Sequence, residues 1–112
     1  MTQNVIEQIK SDIQSNKILI YMKGTPEAPQ CGFSAATVEL IKSFGHPFAT
    51  RDILAGPGLR EQVHKLTNWP TFPQVFVSGK LIGGCDIVHE MHERGELEPL
   101  LAEAFNSPNK ST

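Results

Sequence analysis

Cysteine is scarce in this chain: two residues among 112, Cys31 and Cys85. Two thiols exclude a four-cysteine zinc or iron–sulfur site within a single chain. They leave one disulfide, two core thiols, or one reactive thiol beside a bystander. Long hydrophobic runs are also missing. The most apolar stretch, Ile18-Leu19-Ile20-Tyr21-Met22, falls far short of the ~18 residues of a membrane helix, so no membrane partner is expected. Charge of one sign is lacking as well. Ten Lys+Arg against twelve Asp+Glu give a net charge of −2, which offers nucleic acid no basic field. Met1-Thr2-Gln3-Asn4 has neither the basic nor the apolar part of a signal peptide, and no Arg- and Ser-rich transit segment is visible. The expectation is a cytoplasmic chain, where thiols stay mostly reduced and a structural disulfide is the least favoured option.

What is present reads as one globular domain, with 39% hydrophobic and 20% charged residues in the ordinary proportion and no internal repeat or linker. Val5, Ile6, Ile9 and Ile13 share one helical face, with Glu7, Lys10 and Asp12 off it and Thr2 or Asn4 as a cap. Lys17–Met22 is a short continuous apolar strand. Residues 23–30, with two prolines and a glycine, form a loop. A helix follows from Ser34, carrying Ala35, Val38, Leu40 and Ile41 and fading at Gly45-His46-Pro47. Phe48–Ile53 is a second strand and Leu59–Leu66 a short helix. Gln74–Val77 and Leu81–Gly83 make a hairpin about Ser78-Gly79-Lys80. Gly84-Cys85-Asp86 opens a helix with Ile87, Val88 and Met91. Leu97, Leu100, Leu101, Ala104 and Phe105 carry a last one, and 106–112 is a polar tail. A strand–helix–strand start favours a parallel βαβ unit, and the late strands pair as a hairpin. The expected fold is α/β, a four-stranded mixed sheet with helices on both faces.

Cys31 stands where a helix begins. Unpaired N–H groups and the positive dipole end there favour thiolate over thiol. Lys23, eight positions upstream across a proline-bent loop, could return its ammonium to the same place. An inert buried thiol is the alternative, but the neighbouring Gly32 reduces cover, and proline-rich loops lie at surfaces. Ser34 cannot act as the resolving thiol of a C-x-x-C pair, so an adduct on Cys31 must be released by an external thiol. Nothing in the spacing brings Cys85 near. A cis bond before Pro73 would leave the backbone of Phe72 open to a peptide-like ligand, although cis is the minority form. Gly83-Gly84-Cys85-Asp86 suits a carboxylate at a helix start, or is a plain turn capped by Asp86. Arg60 is a carboxylate partner or a solvated charge. His46, His64, His89 and His92 read as surface residues with no metal spacing. Glu90, Glu93, Glu96, Glu98 and Glu103 read as a solvated face, and Trp69 as packing.

Four stretches together, Tyr21-Met22-Lys23-Gly24-Thr25-Pro26, Cys31-Gly32-Phe33-Ser34, Asn68-Trp69-Pro70-Thr71-Phe72-Pro73-Gln74 and Gly83-Gly84-Cys85-Asp86, closely resemble the single-domain bacterial class of monothiol glutaredoxins. The resemblance spans residues 5–105 and implies a thioredoxin fold, with 106–112 as a tail. It implies glutathione as a ligand. Lys23 and Arg60 would take its glycine carboxylate, the backbone of Phe72 before a cis Pro73 its cysteinyl unit, and Cys85 and Asp86 its γ-glutamyl end. Thr71 would support the turn, Gly32 the approach to Cys31, and Phe33, Ser34 and Gly84 the surrounding site. The resemblance further implies a [2Fe–2S] cluster bridging a homodimer. Cys31 of each chain and two glutathione thiols would supply the four thiolates such a cluster commonly takes. Iron–sulfur apoproteins and a BolA-like protein are the implied partners. Two functions follow: cluster assembly, storage and transfer, or weak glutathione-dependent reduction of mixed disulfides through Cys31. The long spacer from Gly24 to Gln30, much shorter in dithiol relatives, would shift Lys23 and favours the carrier.

Overall fold

The computed structural model describes residues 2–106. Its elements are α1 (Thr2–Ser15), β1 (Ile18–Met22), α2 (Gly32–Lys42), β2 (Ala49–Asp52), α3 (Leu59–Thr67), β3 (Gln74–Val77), β4 (Lys80–Gly83), α4 (Cys85–Glu93) and α5 (Leu97–Asn106). All nine were expected in this order, with shifted ends. Asn4 lies inside α1 rather than capping it, and α2 begins two residues before Ser34. β2 is shorter than Phe48–Ile53, and Asn106 belongs to α5 rather than to a tail. The rest of the expected tail, 107–112, lies outside the described residues.

The sheet order is β2-β1-β3-β4. β1 runs parallel to β2 (Leu19↔Ala49 to Met22↔Asp52) and antiparallel to β3 (Ile18↔Val77 to Tyr21↔Gln74). β3 and β4 pair antiparallel through a two-residue turn in which Ser78 and Gly79 both have positive φ, 53° and 83°. A turn of that hand matches the right-handed twist of its strands.

Alternation along the strands sorts the core into two layers. Ile18, Ile20 and Met22 of β1, with Val75 and Val77 of β3, meet Val38 and Ile41 of α2, Val88 of α4, and Leu97, Leu101 and Ala104 of α5. Leu19, Tyr21 and Phe76 point the other way, against Ile9 of α1 and Val63 of α3. Helices therefore cover both faces, as the continuous apolar run of β1 requires.

Asp12, expected off the apolar face of α1, is only 7% exposed. Arg51 on the edge strand β2 grips it with two hydrogen bonds, Nε to Oδ2 and Nη2 to Oδ1, each 3.0 Å, and the Gln8 amide adds a third at 3.0 Å. This pairing holds the guanidinium even more firmly charged than usual. Beside it the buried Tyr21 hydroxyl has no hydrogen-bond partner among the described residues. Burial, and then the nearby Asp12 charge, push its phenol pKa up.

Two substitutions separate these roles. Asp12→Ala strands a half-buried guanidinium and should cost about 1–3 kcal/mol, moderated by water reaching Arg51. Tyr21→Phe removes a buried hydroxyl that is unpaired among the described residues, so stability should hold or rise. Denaturant unfolding checks both. A loss above about 1 kcal/mol for Tyr21→Phe would mean the hydroxyl has a partner.

Candidate functional site

The loops at the carboxyl ends of β1 and β2, with those entering β3 and leaving β4, surround one open cleft of about 410 Å³. Its size is that of a small-molecule site. Cys31 and Cys85 both line it, so the fold brings together two thiols that sequence spacing leaves unrelated. Both are free and half-exposed.

Cys31 immediately precedes α2 in extended conformation, φ −157° and ψ 134°, which sets its thiol at the helix N-terminus. The backbone N–H of Ser34 does most to lower its pKa, working against desolvation and helped by the Phe33 N–H, the Lys23 charge and the Ser34 hydroxyl. Ser34 is fully buried, and its Oγ accepts the Lys23 N–H at 3.1 Å, so it ties the end of β1 to the start of α2. Phe33 is 62% exposed at the rim. A Cβ placed on Gly32 would meet nothing within 4 Å. The space over Cys31 is open, and no close packing of the chain demands that glycine.

The spacer between Lys23 and Cys31 folds back on itself. The Gln30 N–H donates to the Lys23 carbonyl at 2.8 Å, and Gly24 bridges Pro29. Asp52 anchors the hairpin, its Oδ1 accepting from the N–H groups of Gly24 at 2.8 Å and Leu54 at 2.9 Å. Gly24 needs its φ of +91°, and any Cβ there would sit 2.5 Å from the Ala28 carbonyl oxygen. Lys23 and Arg60 of α3 line the same cleft as Cys31.

The opposite wall is Trp69–Pro73, with a cis bond between Phe72 and Pro73. The Phe72 side chain is buried. Its backbone lies beyond the last β1–β3 pair, Tyr21↔Gln74, and makes no hydrogen bond among the described residues. Thr71 supports this turn through its carbonyl, which accepts from the Gln74 amide at 3.2 Å. Gly84 packs on the wall so closely that a Cβ would lie 3.0 Å from the Pro73 carbonyl oxygen. Trp69 lines the cleft as well as packing.

α4 begins at Cys85 with Gly84 before it and no side-chain cap, so Asp86 is not the cap but a first-turn residue. The first-turn N–H groups of Cys85 and Asp86 have no helical partner. His64 and His92 are exposed as expected, while His46 and His89 are half-buried. His46 stacks on Phe105 with centroids 5.1 Å apart, and His92 meets the Phe44 ring edge-on at 5.5 Å. His89 places Nδ1 2.8 Å from the Cys85 carbonyl oxygen and 3.6 Å from its Sγ. The one-turn spacing of Cys85 and His89 was the available signal for this contact.

Because helix N–H groups and Lys23 all lower the Cys31 pKa, its alkylation by iodoacetamide should rise at lower pH than for the unfolded chain. Cys31→Ser should remove the fast phase and Cys85→Ser should leave it. Lys23→Ala should move the profile to higher pH. A Cys31 profile equal to that of the unfolded chain would contradict the helix-end account.

The sequence profile of the glutaredoxin family matches residues 18–82. Glutaredoxin 4 of Escherichia coli (strain K12) is 53% identical over 98 residues, covering 88% of this chain and 85% of the relative. The solution structure of reduced poplar apo GrxS14 is similar with a TM-score of 0.78 and 38% identity, covering 88% and 91% of the two chains. A buckwheat glutaredoxin–glutathione complex is similar with a TM-score of 0.81 and 26% identity, covering 92% of each. With its thioredoxin fold, and with Ser34 where a second active-site thiol would stand, the chain belongs to the glutaredoxin family and to its monothiol type.

Proposed function

We propose that this chain binds glutathione in the cleft and, as a homodimer, carries a [2Fe–2S] cluster between Cys31 of each chain and two glutathione thiols, for transfer to iron–sulfur apoproteins. The observation that carries the reading is the single activated thiol at the mouth of an open cleft, with a buried serine three residues on. Among the described residues no three His, Cys, Asp or Glu side chains are grouped to hold a metal ion. In this reading Cys31 is the soft thiolate donor each chain brings, a type that suits iron–sulfur cargo, and the other ligands come from the second chain and from glutathione.

The cleft's chemistry fits the tripeptide. Lys23 and Arg60 provide two cations for the glycine carboxylate. The unpaired backbone of Phe72 offers the cysteinyl unit one N–H and one carbonyl, as a strand edge does. The N–H groups of Cys85 and Asp86 at the start of α4 receive the carboxylate of the γ-glutamyl end, with the Asp86 side chain for its amine. Gly84 lets the α4 turn approach the wall, and Phe33 walls the rim. A similar structure is a glutaredoxin–glutathione complex, which supports this ligand. The BolA-like partner implied by the resemblance would engage the same open mouth. The second reading, a glutathione-dependent reductase of mixed disulfides, draws on the lowered Cys31 pKa. Without a resolving thiol at position 34, each turnover must wait for external glutathione.

Anaerobic reconstitution with ferrous iron, sulfide and glutathione tests the choice. The expected result is a brown dimer, with cluster lost in Cys31→Ser and mostly kept in Cys85→Ser. Equal losses in both variants would overturn Cys31 as sole protein ligand. Fast turnover of a glutathione mixed disulfide by a colourless monomer would instead establish the reductase.

A further inference from the structure

The cleft wall Trp69–Pro73 is short of hydrogen bonds. Pro70 and Pro73 have no N–H, no residue of the segment joins a backbone–backbone hydrogen bond among the described residues, and the Trp69 N–H goes to the Thr67 hydroxyl at 3.1 Å. Two of its carbonyls, those of Trp69 and Thr71, are met by one group, the side-chain NH2 of Gln74, at 2.7 and 3.2 Å. Gln74 is 0% exposed, and its Oε1 has no partner among the described residues. A glutamine amide has two N–H donors. Both are spent on the wall while the acceptor stays unsatisfied in the interior, which is destabilising. An apolar side chain of the same size would avoid that cost, so the two donors are what the position requires.

We infer that Gln74 is a positioning residue of the cleft. Without touching the ligand, its carboxamide takes the place of the absent ladder along Trp69–Thr71 and holds the Phe72 backbone ready to pair with an extended peptide. The inference rests on the reading of the cleft as a glutathione site. It separates from the thiol chemistry, because Cys31 answers to the N–H groups of α2 and to Lys23, whereas the Gln74 amide is hydrogen-bonded to the carbonyls of Trp69 and Thr71.

Gln74→Met keeps the volume and removes both donors. Gln74→Asn keeps an amide one methylene too short to reach both carbonyls, and carries the same test if the methionine variant does not fold. Three readouts are taken on each: backbone order parameters at Thr71 and Phe72 without ligand, glutathione affinity by calorimetry, and the pH profile of Cys31 alkylation. Order parameters should fall from about 0.85 to below about 0.6. Affinity should weaken about tenfold, roughly 1.4 kcal/mol, with the alkylation profile unmoved. The inference fails if folded variants keep rigid Thr71 and Phe72 and bind glutathione within twofold of the parent. It also fails if the alkylation profile moves along with the affinity, which marks general loosening. Should the parent chain bind no glutathione while the order parameters still fall, the ligand reading is lost and the positioning role stands.

Discussion

Every residue of β1 from Ile18 to Met22 is 1% exposed or less. A strand buried on both faces can exist only with helices on each side, and here α2, α4 and α5 take one side while α1 and α3 take the other. With both faces sealed, polar chemistry is confined to where the strand stops. That place is just past Met22, where the Ile53 N–H closes on the Met22 carbonyl at 2.9 Å and the chain turns into Lys23. Sheets of this kind offer their ligand crevice outside the carboxyl ends of the parallel strands. Cys31, Lys23 and Arg60 all arrive there on segments that follow β1 or β2.

The electrostatics of that end differ from those of the whole. A chain of net charge −2 gathers two cations and the N-termini of α2 and α4 about one cleft, with Asp86 as the carboxylate lining it. The helix ends add donors that need no counter-charge and no side-chain ordering. The same N–H groups that stabilise a thiolate on Cys31 therefore belong to a wider field suited to an anionic peptide.

Much of this was legible in the sequence, and the exceptions have a common cause. β1, α5 and the hairpin were readable because their signals are local: a continuous apolar run, a helical repeat, a turn between short strands. Cys31 was readable because a loop running into a helix is itself a local pattern. Asp12 was read only as lying off the apolar face of α1, because its partner Arg51 is thirty-nine residues away and meets it only after β2 docks. The contact of His89 with Cys85 was missed because an i, i+4 pair is also how two surface residues look. Gly24, where any other residue would be strained, carries no local mark beyond being a glycine in a loop. The shared cleft of Cys31 and Cys85 depends on β3 lying beside β1 and carrying β4 at its far side, which no spacing encodes.

The distribution of unsatisfied atoms carries the same logic further. Among the described residues three buried side-chain polar atoms lack partners: the Tyr21 hydroxyl, Trp69 Nε1 and Gln74 Oε1. Two of them lie along the one wall whose backbone is unpaired. No ladder holds this wall among the described residues; the Gln74 side chain meets two of its carbonyls instead, and a side chain satisfies fewer groups than a ladder does. Buried groups left unpaired cost stability and are few in native proteins. Two of the three stand at or beside this wall, which is the pattern the proposed role of Gln74 requires: a backbone left open on the cleft side and held from behind by a side chain.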